Sequence, residues 1–313
     1  MPWLILKRLA FGIPLVFAVS AVTFCLVALA PGDAARVTVG PNATPEQYAA
    51  VRAQLGLDQS LPEQYWHWLS HAVRGDLGRS ILSGQPVSGL LDQRLGVTLS
   101  VILLATALAA VVGIALGALS AQRRGVVGKA IDAGSLLGFA IPNYWLGLLL
   151  VAVFAVQWRM FPAVGYVDFA VSPGQWLHSL VLPVVTLAVG GAAGIAKVTR
   201  DAMLSTLDQE FVTAYRADGV AERTIVFRHV LRNSAPPILS MIGLFFIGSL
   251  GGTVLVEQVF SLPGLGGLAV SSASQHDIPV IQGIAVYFTL LVVAVNLLLD
   301  LLYGWLNPKA RIA

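Results

Sequence analysis

Glu63, His67 and His71 recur at four-residue steps, so a helix through them would carry all three on one face. Carboxylate and imidazole are the groups that hold zinc, yet no cysteine and no second histidine pair stands with them. The competing reading is an ordinary polar face opposite Tyr65, Trp66 and Leu69. Nucleotide chemistry is missing as well. A phosphate-cradling loop needs Gly-x-x-x-x-Gly-Lys-Ser/Thr, and Gly128-Lys129 has neither the upstream glycine nor the hydroxyl residue. No His-Glu-x-x-His and no Gly-x-Ser-x-Gly occurs, so an intramembrane protease would lack both metal cradle and nucleophile. The single cysteine, Cys25, lies in an apolar run and reads as a small hydrophobe. Catalysis has few candidates here.

The surrounding sequence explains why. The 313 residues are 57% hydrophobic and 11% charged, with a mean hydropathy of +0.79. That balance excludes intrinsic disorder, a collagen-like repeat and a disulfide scaffold, and it argues against a water-soluble enzyme. A net charge of +3 is too weak to suggest nucleic acid. Six stretches reach the roughly 20 apolar residues needed to cross a bilayer: Leu9–Ala30, Val97–Ala121, Ile131–Gln157, Trp176–Val198, Ile238–Val259 and Ile281–Leu306. Ala28-Leu29-Ala30 resembles a cleavage site, but the first stretch is longer than a signal core and five others follow, so it reads as a retained span. Basic residues set the orientation. Lys7, Arg8, Arg123, Arg124, Lys129, the cluster from Lys197 to Arg232, Lys309 and Arg311 fall on one side, against Arg159 alone in the short loops of the other. By the positive-inside rule both termini are cytoplasmic.

Two polar segments have structure of their own. In the outer one, Pro31–Gly96, Thr44-Pro45-Glu46-Gln47 starts a helix. The stretch Leu61–Leu69 is rich in tryptophan and tyrosine, as an interfacial amphipathic helix would be. The inner one, Thr199–Pro237, is nearly forty residues long where a connector needs four to eight. It reads as two short helices broken at Gly219, with Phe211 and Tyr215 four apart on the first and Phe227 and Leu231 four apart on the second. Its length and interleaved aromatics suggest a docking element for a cytoplasmic partner.

Four signatures complete the pattern: Ala30-Pro31-Gly32-Asp33; Leu55-Gly56-Leu57-Asp58-Gln59 with Gly75-Asp76-Leu77-Gly78-Arg79-Ser80; Ala214–Gly219 with Arg228-His229-Val230-Leu231-Arg232-Asn233; and Val256-Glu257-Gln258-Val259-Phe260-Ser261-Leu262-Pro263-Gly264-Leu265-Gly266. In this order the chain resembles, from Leu4 to about Lys309, a permease subunit of the ABC importers of the peptide/nickel (dipeptide/oligopeptide) family. Against the general importer pattern of Glu-Ala-Ala, Gly and Ile-x-Leu-Pro, Ala214, Gly219 and Leu231 match. Thr213, Tyr215, His229 and Arg232 depart from it.

The resemblance implies an all-α integral membrane protein of six transmembrane helices. Residues 1–8 and 307–313 would be cytoplasmic ends, 9–30 the first span, 31–96 a long outer loop, and 97–306 the importer-type domain with a coupling segment at 199–237. It places Ala214, Tyr215, Ala217, Gly219, Val220, Arg228 and Leu231 against an ATPase subunit. Ser249, Gly252 and Thr253 would lie on the translocation path, and Gly264, Leu265 and Gly266 would face the binding protein. The implied partners are a second, related permease, two ATP-binding subunits, an extracytoplasmic substrate-binding protein and membrane lipid. No cofactor is expected in this chain, with ATP held by the partners, and the location is the bacterial cytoplasmic membrane. Gly113/Gly117, Gly134/Gly138, Gly190/Gly194 and Gly248/Gly252 offer close helix packing. An ion-coupled secondary transporter is the alternative, but Asp132, Glu257 and Asp300 sit near span ends rather than at mid-membrane.

Overall fold

Inside a bilayer each backbone N–H and C=O must find its partner within the protein, so runs of this hydropathy are driven into helices. The computed structural model describes residues 2–29, 32–40, 42–123 and 126–306. Parts of the expected features, Ala30-Pro31, Arg124 and the end 307–313, lie outside the described residues. In chain order the helices are α1 (Pro2–Leu29), α2 (Ala34–Val39), α3 (Pro45–Gln54), α4 (Leu61–Ala72), α5 (Val87–Gln122), α6 (Val126–Ala140) and α7 (Asn143–Leu150). A π-helical stretch, Val151–Gln157, continues α7, and α8 (Pro173–Leu207) and α9 (Glu210–Ala217) follow. Next α10 (Glu222–Thr224) and α11 (Leu231–Asn233) flank a second π-helical stretch, Ile225–Val230. The chain closes with α12 (Ala235–Val259), α13 (Leu265–Ser274) and α14 (Ile278–Leu306).

Among the described residues five helices are long and apolar enough to cross a membrane: the Ala10–Leu29 part of α1, then α5, α8, α12 and the Ile278–Leu302 part of α14. The third expected span is not one helix. It breaks between α6 and α7 at Ile141-Pro142, where Pro142 is extended (ψ 132) and caps α7. Proline lacks the N–H that would continue the α6 ladder and disfavours helical geometry in the residue before it. At 36 and 35 residues, α5 and α8 are roughly 50 Å long, well beyond a hydrocarbon core of about 30 Å. Their ends therefore carry polar sequence out of the membrane.

The residues group into two compact units, which cut across the expected division at residue 96. One comprises Leu99–Leu262 and Val295–Ala313. Here α8 is the central helix, packed against α6, α7 and α12 and buried along most of its length. Close approach follows the glycines. A Cβ on Gly113 would lie 2.7 Å from the Cβ of Ile195, and one on Gly117 would lie 2.5 Å from the Ala196 carbonyl oxygen. At Gly134 and Gly248, by contrast, a Cβ would have nothing within 4 Å.

The second unit comprises Pro2–Thr98 and Pro263–Ala294. Its apolar centre joins Leu77, Val87 and Leu91 to Leu265, Leu268, Val280 and Ile284. Polar ties position the loops around it. The Thr44 hydroxyl accepts from the Gln47 N–H and the Gln47 side chain accepts from the Thr44 N–H, a capping box that starts α3 as the sequence predicts. The buried Asp277 carboxylate accepts from the Ser80 hydroxyl at 2.5 Å and the Ile81 N–H at 3.1 Å. Asp33 caps α2. Its partial burial works to raise the carboxyl pKa, but bonds from the Tyr48 hydroxyl and the Ala35 and Arg36 N–H groups outweigh it and hold it below the usual value.

The glycine contacts separate two substitutions. Gly117→Val forces a methyl-bearing carbon into the α8 backbone and should cost about 1–3 kcal/mol. Gly134→Ala enters open space and should stay within about 0.5 kcal/mol. Thermal unfolding of the detergent-solubilised chain measures both.

Candidate functional site

Residues 208–234 pack onto the C-terminal ends of two long helices of their own unit. Ala118 and Ala121 of α5, Met203 of α8, Val212 of α9 and Ile225, Val226 and Val230 of the π-helical stretch form one buried apolar cluster. Leu204, Leu207, Phe211, Tyr215, Val220 and Leu231 pack around it. The cluster explains the local sequence, because α9 presents Val212 inward and leaves Thr213, Ala214, Arg216 and Ala217 exposed.

Gly219 makes the turn that the sequence predicts. Its φ is +74, a region that side chains with a Cβ resist. The N–H of Val220 donates to the Tyr215 carbonyl at 3.0 Å, closing α9 as a Schellman-type cap, and Val220 then packs against the cluster. Arg216 and Glu222 stand symmetrically about Gly219, and their side chains meet in a bidentate pair at 2.7 and 3.1 Å. The hydrogen bond from Arg216 pulls the Glu222 carboxyl below its ordinary pKa, and the same bond raises the guanidinium. A depressed carboxyl pKa means the strap acts above the ordinary glutamate range and fades as pH falls through the lowered value. Sequence reasoning missed this pair, although opposite charges three residues either side of a turn glycine are a usable signal.

The seven expected coupling residues divide. Ala214, Ala217, Gly219 and Arg228 are exposed and free to meet a partner. Tyr215, Val220 and Leu231 instead support the turn from behind, with the Tyr215 ring 4.4 Å from that of His229. The second aromatic spacing does not hold. Phe227 is exposed while Leu231 packs inward, because the π-helical stretch widens the turn and separates residues four apart.

The expected path residues face inward within their unit. Ser249 and Thr253 are buried, and their hydroxyls donate to the Phe245 and Leu250 carbonyls of their own helix. Gly252 lies beside Leu187, which would be 3.2 Å from a Cβ there. The exposed face of α12 carries Leu244, Gly248, Gly251 and Leu255 instead. Gly264, Leu265 and Gly266 are buried too. Gly264 precedes α13, and the Leu265 N–H donates to the Thr98 hydroxyl at 2.8 Å. The metal-like stripe is otherwise employed, since Glu63 accepts from the Ser60 N–H and hydroxyl, and His71 Nδ1 lies 2.8 Å from the His67 carbonyl oxygen.

Burial decides the stability of the turn. Ile225→Ala should cost about 2–5 kcal/mol, whereas Arg216→Ala, which opens an exposed pair, should cost at most about 1 kcal/mol. Limited proteolysis within 208–234 should accelerate strongly for the first variant and little for the second.

Comparison with known proteins identifies what this scaffold belongs to. The family described as binding-protein-dependent transport system inner membrane component matches residues 113–312, and its N-terminal counterpart matches residues 1–102. A protein of Brucella abortus (strain 2308), named for a peptide transport system permease, is 41% identical over 98% of both chains. The glutathione transport system permease protein GsiC of Escherichia coli (strain K12) is 38% identical over 98% of both. A solved structure of the MetNI methionine ABC transporter in an inward-facing conformation shares the fold, with a TM-score of 0.58, 20% identity and coverage of 70% of this chain and 97% of that one. The chain belongs to the binding-protein-dependent transport system inner membrane components, as a multi-pass permease subunit of an ABC importer that works with a substrate-binding protein and with ATPase subunits that carry the hydrolysis.

Proposed function

We propose that this chain forms half of the translocation path of a di- or oligopeptide importer, pairs with a second, related permease, and couples to one of two ATP-binding subunits through the turn at Gly219. The observation that carries the reading is that turn: an exposed left-handed glycine held over a buried cluster that includes α5 and α8 residues. A partner gripping the tip at Ala214, Ala217 and Gly219 would pull on two long membrane helices at once. ATP moves such a system by binding one arrangement of its subunits better than another, and this chain turns that preference into helix displacement. ATP stays with the partners and this chain holds no cofactor. Peptide is the favoured solute because relatives at 38–41% identity are named for peptide and glutathione transport.

In this reading the chain crosses the bacterial cytoplasmic membrane six times, with α6, α7 and the π-helical stretch after it forming the third crossing, and both termini are cytoplasmic. The basic residues concentrated on one side support that orientation. Ion coupling has less support. Asp132, the carboxylate at the start of the third crossing, is held by Arg200 at 3.2 Å and by the Ser120 hydroxyl at 3.2 Å, which ties it structurally instead of leaving it to relay protons.

Gly219→Val tests the coupling. Left-handed backbone disfavours a β-branched residue by roughly 1–2 kcal/mol, enough to rebuild the tip without unfolding the buried cluster. The expected result, in the reconstituted importer, is normal membrane insertion with peptide uptake reduced by about tenfold and ATP hydrolysis no longer raised by loaded binding protein. Uptake at the wild-type rate would defeat the docking role.

A further inference from the structure

Asn143 is the first residue of α7, immediately after the break at Pro142 and near the middle of the third apolar stretch. Its carboxamide offers two donors and an acceptor, it is half-buried, and among the described residues it makes no side-chain hydrogen bond. Neighbouring polar groups are spent on their own helices. Thr186 donates to the Leu182 carbonyl, Ser249 to Phe245 and Thr253 to Leu250. Asn143 cannot do the same, because the chain behind it is broken and non-helical.

Space has been left around this amide. A Cβ on Gly190, the central residue of α8, would lie 3.8 Å from Asn143 Oδ1, and one on Gly252 of α12 would lie 3.7 Å from Nδ2. The amide therefore lies beside two glycines where α7, α8 and α12 converge, within one compact unit. An unpaired polar side chain at membrane depth is costly unless it faces water, a polar ligand or a partner. Interrupted helices at that depth are tolerated where they line a cavity or are buried in protein.

We infer that Asn143 is a solute-contact residue of the translocation path, its carboxamide pairing donor-to-acceptor with a peptide amide of the passing solute. This rests on the peptide-importer reading above and names a residue for it. A carboxamide presents the same N–H and C=O pattern as a peptide bond and is indifferent to side chains, which suits a path that passes many sequences.

The test uses the complete importer in proteoliposomes with its binding protein, tri-alanine as solute and an N-methylated tri-alanine as comparison. Asn143→Leu should assemble and retain ATP turnover. Its tri-alanine uptake should fall by about three- to tenfold, the worth of one neutral hydrogen bond, and the preference over the N-methylated analogue should narrow. Asn143→Gln should recover part of the rate. In a Cys25→Ser background, Asn143→Cys should react with a membrane-impermeant thiol reagent and be protected by solute. Uptake by Asn143→Leu at the wild-type rate overturns the assignment. So does an unreactive Asn143→Cys together with loss of the second permease from the Asn143→Leu complex, which would make the amide a bond between subunits. A wild-type complex that imports no peptide sinks the substrate reading instead, and is visible before any variant is made.

Discussion

The cluster that joins Ala118, Ala121 and Met203 to Val212, Ile225, Val226 and Val230 is the contact that fixes the turn segment to the long helices α5 and α8. Without it, α9 and the helical residues 222–233 would be a tether of small polar helices, and a force applied to them would be absorbed by bending. With it, the tip and the C-terminal ends of α5 and α8 are packed as one piece, because close-packed interiors transmit strain instead of yielding. The exposed Arg216–Glu222 pair trims the turn, but water screens it and burial carries the load.

The membrane half of the chain obeys a different constraint. Between apolar helices in lipid there is little hydrophobic drive, so association relies on close contact and on satisfied polar groups. Gly113 and Gly117 bring α5 onto the α8 backbone, and Gly191 admits the Phe245 ring of α12. Around these contacts the hydroxyls of Thr186, Ser249 and Thr253 turn back to their own helices. The face of α12 with Gly248 and Gly251 flanked by Leu244 and Leu255 is exposed among the described residues.

Much of this could be read in the sequence, and where it could not the reason is physical. Hydropathy located the long helices, Thr44 and Gln47 announced α3, and Gly219 announced its turn, since each is decided by local chemistry. The break at Pro142 was not legible. Pro14 and Pro183 also lie inside apolar runs, each after an apolar residue, yet α1 and α8 continue through them. α8 is enclosed by neighbours along most of its span while α1 is largely exposed around Pro14, so an apolar residue before proline does not by itself decide where a helix breaks. The burial of Leu265 and the inward face of Ser249 and Thr253 depend on contacts between residues far apart in sequence. Family likeness named those positions without saying which way they point.

The tie between Ser80 and Asp277 spans 197 residues. A ribosome adding about 5–20 residues per second needs roughly 10–40 s to deliver the second partner after the first. During that interval Leu77, Val87 and Leu91 have been made and delivered, but the Leu265, Leu268, Val280 and Ile284 that cover them do not yet exist. This unit is therefore begun early but closed only near the end of synthesis, and its half-built apolar surface is a stage of biogenesis open to chaperones, quality-control proteases and mispairing with a sister chain.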